Sequence, residues 1–179
     1  MIKDLTDAYL RAVDEALPGF VEKLYVVGSA ALGAWVPNAS DVDTVIVTSR
    51  VASPSDLAAL RRYNLENLRD FWKPAAPSIY QGVAKLPADA PVDAYNVAWC
   101  ILGPARLHYT LAYQDITSKA GAAGYLAEIF PEWEALAHRA VQWRTSQKES
   151  FTAADMREVA RSIDAVADDA WKRWGGQIA

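Results

Sequence analysis

The sequence predicts an α/β (α+β) domain with a small mixed sheet over residues 1–90, followed by an all-α helical bundle domain over residues 91–179. The first domain is indicated by two short apolar segments, residues 24–27 and 41–48, of which one runs into Gly-Ser and the other begins with Asp-x-Asp. The helical domain is indicated by apolar residues that recur every three to four positions from residue 92 to residue 174.

Each domain is built from elements with local start and stop signals. Those predicted for the first domain are a helix at 5–17, a strand at 24–27, a short helix at 29–35, a strand at 41–48 and a helix at 54–72. Those predicted for the second domain are helices at 93–112, 118–130, 131–143 and 152–174. Pro18-Gly19 ends the first helix, and Thr152 with Asp155 forms a capping box at the start of the last one.

Composition excludes several classes of protein. A hydrophobic content of 52% is sufficient for a folded core, and no apolar run is long enough for a membrane span. A formal net charge of −4 argues against a nucleic-acid partner and suits a small polycationic substrate. The single cysteine, Cys100, excludes an internal disulfide, lies in an apolar stretch typical of a buried thiol, and fits a cytoplasmic protein.

The Asp-x-Asp segment carries most of the chemical information. Residues i and i+2 of a strand share a face, so Asp41 and Asp43 point the same way. Two adjacent carboxylates repel each other unless a cation lies between them, and Mg²⁺ prefers such oxygen ligands. Gly28 lets the backbone approach a phosphate and Ser29 can donate a hydrogen bond to one. The pattern predicts metal-assisted phosphoryl or nucleotidyl transfer.

The segments 28–33 and 37–43 resemble the nucleotidyltransferase superfamily, and within it the aminoglycoside adenylyltransferases that modify streptomycin and spectinomycin. The resemblance implies that Asp41 and Asp43 are catalytic metal ligands and that Gly28 and Ser29 bind the β- and γ-phosphates of ATP. It also implies Mg²⁺ as the metal and transfer of AMP to a hydroxyl of a small, aminoglycoside-like acceptor.

The second domain is similar to the same family in Asn96-Val97 and in the spacing from Arg106 to Lys119. The resemblance implies that Arg106 and Lys119 contact the ATP phosphates and that Asp93 contacts ammonium groups of the acceptor. An aspartate before a helix is also a common N-cap, so Asp93 has both interpretations. His108 is expected to be a half-buried packing residue or a part of the substrate cleft.

Members of the family carry a third carboxylate on the strand that follows the Asp-x-Asp strand, and this carboxylate serves as the general base. This chain departs from the family at that position. One alignment places a strand at residues 78–83 with Gln81 in the position of the acid, and an amide cannot take the proton. Another treats residues 64–72 as the helix before the second domain, so that the strand is deleted and Glu66, Asp70 or no residue is the base.

Two other functions therefore stay open. One is a catalytically impaired pseudoenzyme that binds nucleotide without turnover, and the other is a minimal nucleotidyltransferase that adenylylates a protein. A sheet of two or three strands would also leave an exposed edge, which a second copy could cover in a homodimer.

Overall fold

The computed structural model describes residues 2–31 and 42–177. The chain forms two compact units, Met1–Ala59 and Leu60–Ala179. The first contains a small sheet with helices and the second is largely helical, which confirms the predicted fold class. The predicted domain boundary at residues 90–91 falls within the second unit and stays a prediction.

The first unit is organised around one antiparallel pair of strands. Its elements are α1 (Ile2–Ala16), β1 (Val21–Val27), α2 (Gly28–Ala31), β2 (Asp43–Thr48) and the start of α3 (Pro54–Asn67). The register runs from Val21 opposite Thr48 to Val27 opposite Asp43. The turn between α1 and β1 contains Gly19 at φ 66°, a left-handed conformation that glycine adopts readily.

The second unit is a bundle in which α5 packs against α6, α7 and α8, while α8 also packs against α4. Its elements are the remainder of α3, α4 (Lys73–Val83), β3 (Pro91–Val92), α5 (Ala94–Tyr113), α6 (Lys119–Ile129), α7 (Glu134–Ser146), β4 (Phe151–Thr152) and α8 (Ala153–Trp174). Side chains that are completely buried at its centre include Val97, Leu102, Leu126 and Ile163. The predicted capping box of α8 is confirmed, since Thr152 and Asp155 bond reciprocally.

The strand predicted at residues 78–83 is wrong, because this segment is the end of α4. A π-helical turn, Leu68–Trp72, links α3 to α4, and the N–H of Lys73 donates to the carbonyl of Leu68 five residues earlier. This wide turn lets the helical path continue into Pro74, where a missing N–H would otherwise break the regular ladder. Gln81 therefore lies exposed on a helix.

The helix through this segment is stabilised by an apolar stripe with helical spacing. Its members face the core of the second unit: Leu65, Leu68, Trp72, Ala76, Ile79 and Val83. Intervals of three and four residues between them are typical of one helix face and exclude the alternation of a strand.

Cys100 is buried in α5, as predicted. Burial raises the pKa of its thiol to about 12, so the thiolate that nucleophilic chemistry requires is disfavoured. Among the helices that the structure describes, none combines the length and the apolar character needed to span a bilayer.

Candidate functional site

The Gly-Ser segment and Asp43 of the Asp-x-Asp segment are brought together in the first unit. β1 ends at Val27, Gly28 begins α2 directly after it, and Val27 pairs with Asp43, the first residue of β2. The backbone of Gly28 thus follows the residue that lies opposite Asp43. Asp41 lies outside the described residues, as do the side chains of Ser29 and Asp43, so their roles stay predictions.

The acid that follows β2 most closely is engaged in structural contacts. Asp56 is buried at the start of α3 and pairs with the guanidinium of Arg50 through both carboxylate oxygens. It also accepts hydrogen bonds from the N–H and the hydroxyl of Ser53, each at 2.7 Å. The bonds from Arg50 and Ser53 hold the pKa of Asp56 well below its ordinary value. A carboxylate stabilised in this way is a poor general base.

The other acids considered from the sequence also lie on helices or loops. Glu66 is half-buried on α3, and Asp70 lies in the π-helical turn, where it pairs with Arg69. In the described part of the first unit the sheet has two strands, so it offers no third strand to present a carboxylate. The structure therefore supports the interpretation in which the third strand is deleted.

Arg106 and Lys119 are linked through the loop between α5 and α6. The Nε of Arg106 donates to the carbonyl of Thr117 at 3.1 Å, two residues before Lys119. Lys119 is the first residue of α6, whose N-cap Ser118 accepts from the N–H of Gly121 at 3.0 Å. Arg106 of α5 is thus bonded to the loop that leads into the N-terminus of α6, where Lys119 lies, and a helix N-terminus favours anions.

Asp93 caps α5. Its carboxylate accepts from the N–H of Tyr95 at 2.9 Å and from the side-chain amide of Asn96 at 3.4 Å. Satisfying an unpaired N–H at a helix start is sufficient reason for an aspartate here. The side chain is exposed, and its predicted contact with an acceptor stays a prediction.

A cavity of about 590 Å³ opens in the second unit beside Arg106. It lies between the α3 end, the π-helical turn, α5 and the loop before α6. Its lining includes the side chains of Asn64, Asn67, Phe71, Trp72, Trp99 and Arg106. Gly103 also lines the cavity, where a Cβ atom would lie 2.7 Å from the Trp72 ring, so glycine allows this ring to pack against α5.

The sequence did not indicate this cavity. Trp99 is half-buried and forms part of the cavity wall. A signal was available in Phe71-Trp72, two adjacent aromatic residues of which a helix can bury only one fully. Trp72 is buried and Phe71 is 51% exposed, next to the same cavity.

His108, expected to be half-buried, is completely buried and joins three helices. Its Nδ1 lies 2.7 Å from the hydroxyl of Tyr125 on α6, and its Nε2 lies 2.9 Å from a carboxylate oxygen of Asp169 on α8. Asp169 also pairs with Arg173 at 2.5 Å. The pattern assigns a neutral ring in which Nε2–H donates to Asp169 and Nδ1 accepts from Tyr125.

We expect the stability of the chain to fall when the pH drops below about 6.5, the ordinary pKa of histidine. Burial lowers the pKa of His108, although Asp169 partly opposes this, so the folded state binds its proton later than the unfolded state. Above pH 6.5 the ring is neutral in both states, and the free energy of unfolding is at its full value. As the pH falls below 6.5, the unfolded state binds a proton that the folded state does not, and the free energy of unfolding decreases. Urea unfolding at pH 7.5 and 5.5 of the wild type and of His108→Gln checks this, and an equal loss in both proteins would contradict it.

Two family models match this chain, and together they cover residues 7–169. A model of the nucleotidyltransferase domain matches residues 7–76, and a model of the aminoglycoside adenylyltransferase C-terminal domain matches residues 70–169, which is more than half of the chain. Searches of curated proteins and of solved structures give no match. These two matches agree with the structure. Gly28 follows the residue that pairs with Asp43, and Arg106 bonds to Thr117 in the loop before α6. The chain belongs to the aminoglycoside adenylyltransferase family and carries its nucleotidyltransferase and C-terminal domains.

Proposed function

We propose that the chain is an ATP- and Mg²⁺-dependent adenylyltransferase that transfers AMP to a hydroxyl group of a small acceptor. The observation that carries the proposal is the pairing of Val27 with Asp43. It brings the Gly-Ser segment at the start of α2 and Asp43, the first residue of β2, to the same end of the sheet. Phosphate binding and metal binding need this proximity, because the metal neutralises the phosphates that the turn holds.

Asp41 and Asp43 are the proposed ligands of Mg²⁺. Carboxylate oxygens are the donors that this ion prefers, so the residue types fit the metal. When bound, the ion supplies positive charge to the triphosphate. Gly28 gives the backbone close access to the β- and γ-phosphates, and the hydroxyl of Ser29 donates a hydrogen bond to them.

Arg106 and Lys119 are proposed to neutralise the remaining charge of the triphosphate. In the reaction, the acceptor oxygen forms a bond to the α-phosphorus, the bond to the β-phosphate oxygen breaks, and pyrophosphate leaves. The hydroxyl proton is proposed to pass to water, because Asp56, the first acid after β2, is committed to Arg50 and Ser53 and its pKa is lowered.

The acceptor is proposed to be an aminoglycoside-like polycation and not a nucleic acid. The match of residues 70–169 to the aminoglycoside adenylyltransferase C-terminal domain supports this, as does the formal net charge of −4. Asp93 is the proposed contact for an ammonium group, beyond its bonds to Tyr95 and Asn96.

The test is pyrophosphate release from ATP and Mg²⁺ in the presence of single aminoglycosides. Release that depends on one acceptor and disappears with a chelator would support the proposal. Release that is the same with every acceptor and with none would contradict it.

A nucleotide-binding protein without turnover is a second candidate. Two observations on the described part of the first unit favour it. The sheet has no third strand that could present a general base, and Asp56 is held by Arg50 and Ser53 with a lowered pKa. The loss of such a base typically lowers a rate by about 10²–10⁴-fold, so binding would survive better than catalysis. Tight Mg-ATP binding without pyrophosphate release at any pH would distinguish it from an active enzyme.

We expect Arg106→Ala to weaken ATP binding about 10–100-fold and adenosine binding much less. A charge-assisted contact with phosphate contributes roughly 1.5–3 kcal/mol, which adenosine cannot form. Calorimetric titration with both ligands measures the difference. Arg161→Ala, which removes an exposed arginine paired with Glu158, is the control. Equal losses for ATP and adenosine would show that Arg106 serves to hold the Thr117 loop.

Gln81→Glu should leave the rate of adenylyl transfer unchanged. Gln81 lies exposed on α4, within the second unit, and is not part of a strand next to Asp43. A carboxylate at this position has no reason to reach the acceptor hydroxyl. Initial rates of pyrophosphate release for the two proteins provide the measurement, and a tenfold gain would contradict the helical placement.

A further inference from the structure

The strand β2 is an edge strand in the described part of the first unit. It pairs with β1 on one side, and no other described strand pairs with it. The opposite side of an edge strand bears the N–H and C=O groups of alternate residues, which can bond to a further strand. The outer side of β1 is the other edge of this sheet.

The two edges differ in charge. β1 carries Glu22 and Lys23 at exposed positions, and charged side chains on an edge oppose pairing with another chain. β2 has no charged residue and no proline over residues 44–48. Val45 is 51% exposed and Val47 is 38% exposed. A further strand can therefore pair with β2 without removing a charge from water, and it would cover apolar side chains.

The sequence of β2 is the same in both directions, since residues 44–48 are Thr-Val-Ile-Val-Thr. If β2 of a second copy pairs antiparallel about Ile46, each of these residues lies opposite one of its own type. Thr44 is then opposite Thr48 of the second copy, and Val45 is opposite Val47 of that copy. Cross-strand pairs of threonines and of β-branched residues stabilise antiparallel sheets. The edge is therefore complementary to itself, as a two-fold symmetric interface requires.

Charge favours the antiparallel direction. In this register Asp43 lies opposite Ser49 of the second copy, and the next residue of that copy is Arg50. A parallel pair in register would place Asp43 beside Asp43 of the second copy, and like charges directly opposite each other are destabilising.

We propose that the free edge of β2 binds β2 of a second copy of this chain, so that a symmetric homodimer forms with one antiparallel sheet of four strands in the order β1-β2-β2-β1. The partner is a second copy because the same five uncharged residues form both sides of the interface. The pairing requires neither nucleotide nor metal, so it is independent of the proposed adenylyl transfer.

The first test is sedimentation equilibrium of the full chain over a range of concentrations. We expect a monomer–dimer equilibrium for the wild type and a dimer at least about tenfold weaker for Val45→Lys, which places a charge opposite Val47 twice in each dimer. Tyr25→Lys is the matched control, because Tyr25 pairs with Val45 within one copy, is also 51% exposed and lies on β1. A wild type that stays monomeric, or equal weakening by both variants, would overturn the proposal.

The second test addresses the register and also excludes a folding defect. Val47→Glu alone should weaken the dimer as Val45→Lys does. When the two variants are mixed, the introduced lysine of one copy lies opposite the introduced glutamate of the other, so a heterodimer should form at least about tenfold more tightly than either variant pairs with itself. If the mixture is no more dimeric than the separate variants, residues 45 and 47 are not opposite each other and the proposal fails.

Discussion

Asp43→Asn is expected to lower the affinity for Mg-ATP by at least about 100-fold, since even the outer partners of a metal site typically contribute 10–100-fold. The amide keeps the shape of the side chain but removes the negative charge that a hard cation requires. Asp43 is the first residue of β2, where the backbone pairing with Val27 does not depend on the side chain. The fold should therefore survive.

Calorimetric titration with ATP, with and without Mg²⁺, measures the effect. Asp164→Asn, which removes an exposed carboxylate of α8, is the matched control and should change nothing. Equal Mg-ATP affinity of wild type and Asp43→Asn would show that Asp43 is not a metal ligand, and unchanged circular dichroism would exclude unfolding as the cause of a loss.

The largest effect on stability is expected from His108→Ala. The substitution removes a completely buried ring that joins α5 to Tyr125 of α6 and Asp169 of α8. By comparison with other truncations of buried rings, the free energy of unfolding should fall by roughly 3–5 kcal/mol. The hydroxyl of Tyr125 also loses its partner, whereas Asp169 keeps its ion pair with Arg173.

Urea unfolding at pH 7.5 provides the measurement, and His138→Ala provides the control. His138 is 53% exposed and lies 3.9 Å from Glu134, so its loss should change stability by no more than about 0.5 kcal/mol. A similar small effect for both variants would contradict the account in which the buried network holds the three helices together.

Most of the fold could be predicted from local signals. The strands around residues 24–27 and 43–48 carry β-branched residues. The helices α5, α6 and α8 each begin after a residue whose side chain caps the helix. Thr152 and Asp155 predicted the start of α8 because a capping box depends on only four consecutive residues.

The helix α4 is hard to predict from the sequence, because residues 73–91 contain four prolines and proline usually breaks a helix. Pro74 follows the π-helical turn, in which the N–H of Lys73 donates to the carbonyl of Leu68. The number of prolines in the segment does not reveal this local geometry. The apolar stripe from Leu65 to Val83 carried the correct information, since its spacing is that of one helix face.

The candidate site was predictable only in its residue types. Gly-Ser and Asp-x-Asp indicate phosphate and metal chemistry because the atoms that bind are in those few residues. The aromatic cavity depends instead on how Phe71 and Trp72 approach Trp99 on a different helix. Such an approach is set by tertiary packing, in which the missing Cβ of Gly103 is essential, and local periodicity does not contain it.

The most direct test of the central claim is to follow two labels of ATP in one reaction with Mg²⁺ and an acceptor. For adenylyl transfer, label on the α-phosphate must appear in the acceptor and label on the γ-phosphate must appear in pyrophosphate, with equal amounts of the two products. Asp43→Asn must abolish both. Appearance of the γ-label in the acceptor, or of neither label under conditions in which Mg-ATP is bound, would contradict the assignment of this chain as an adenylyltransferase.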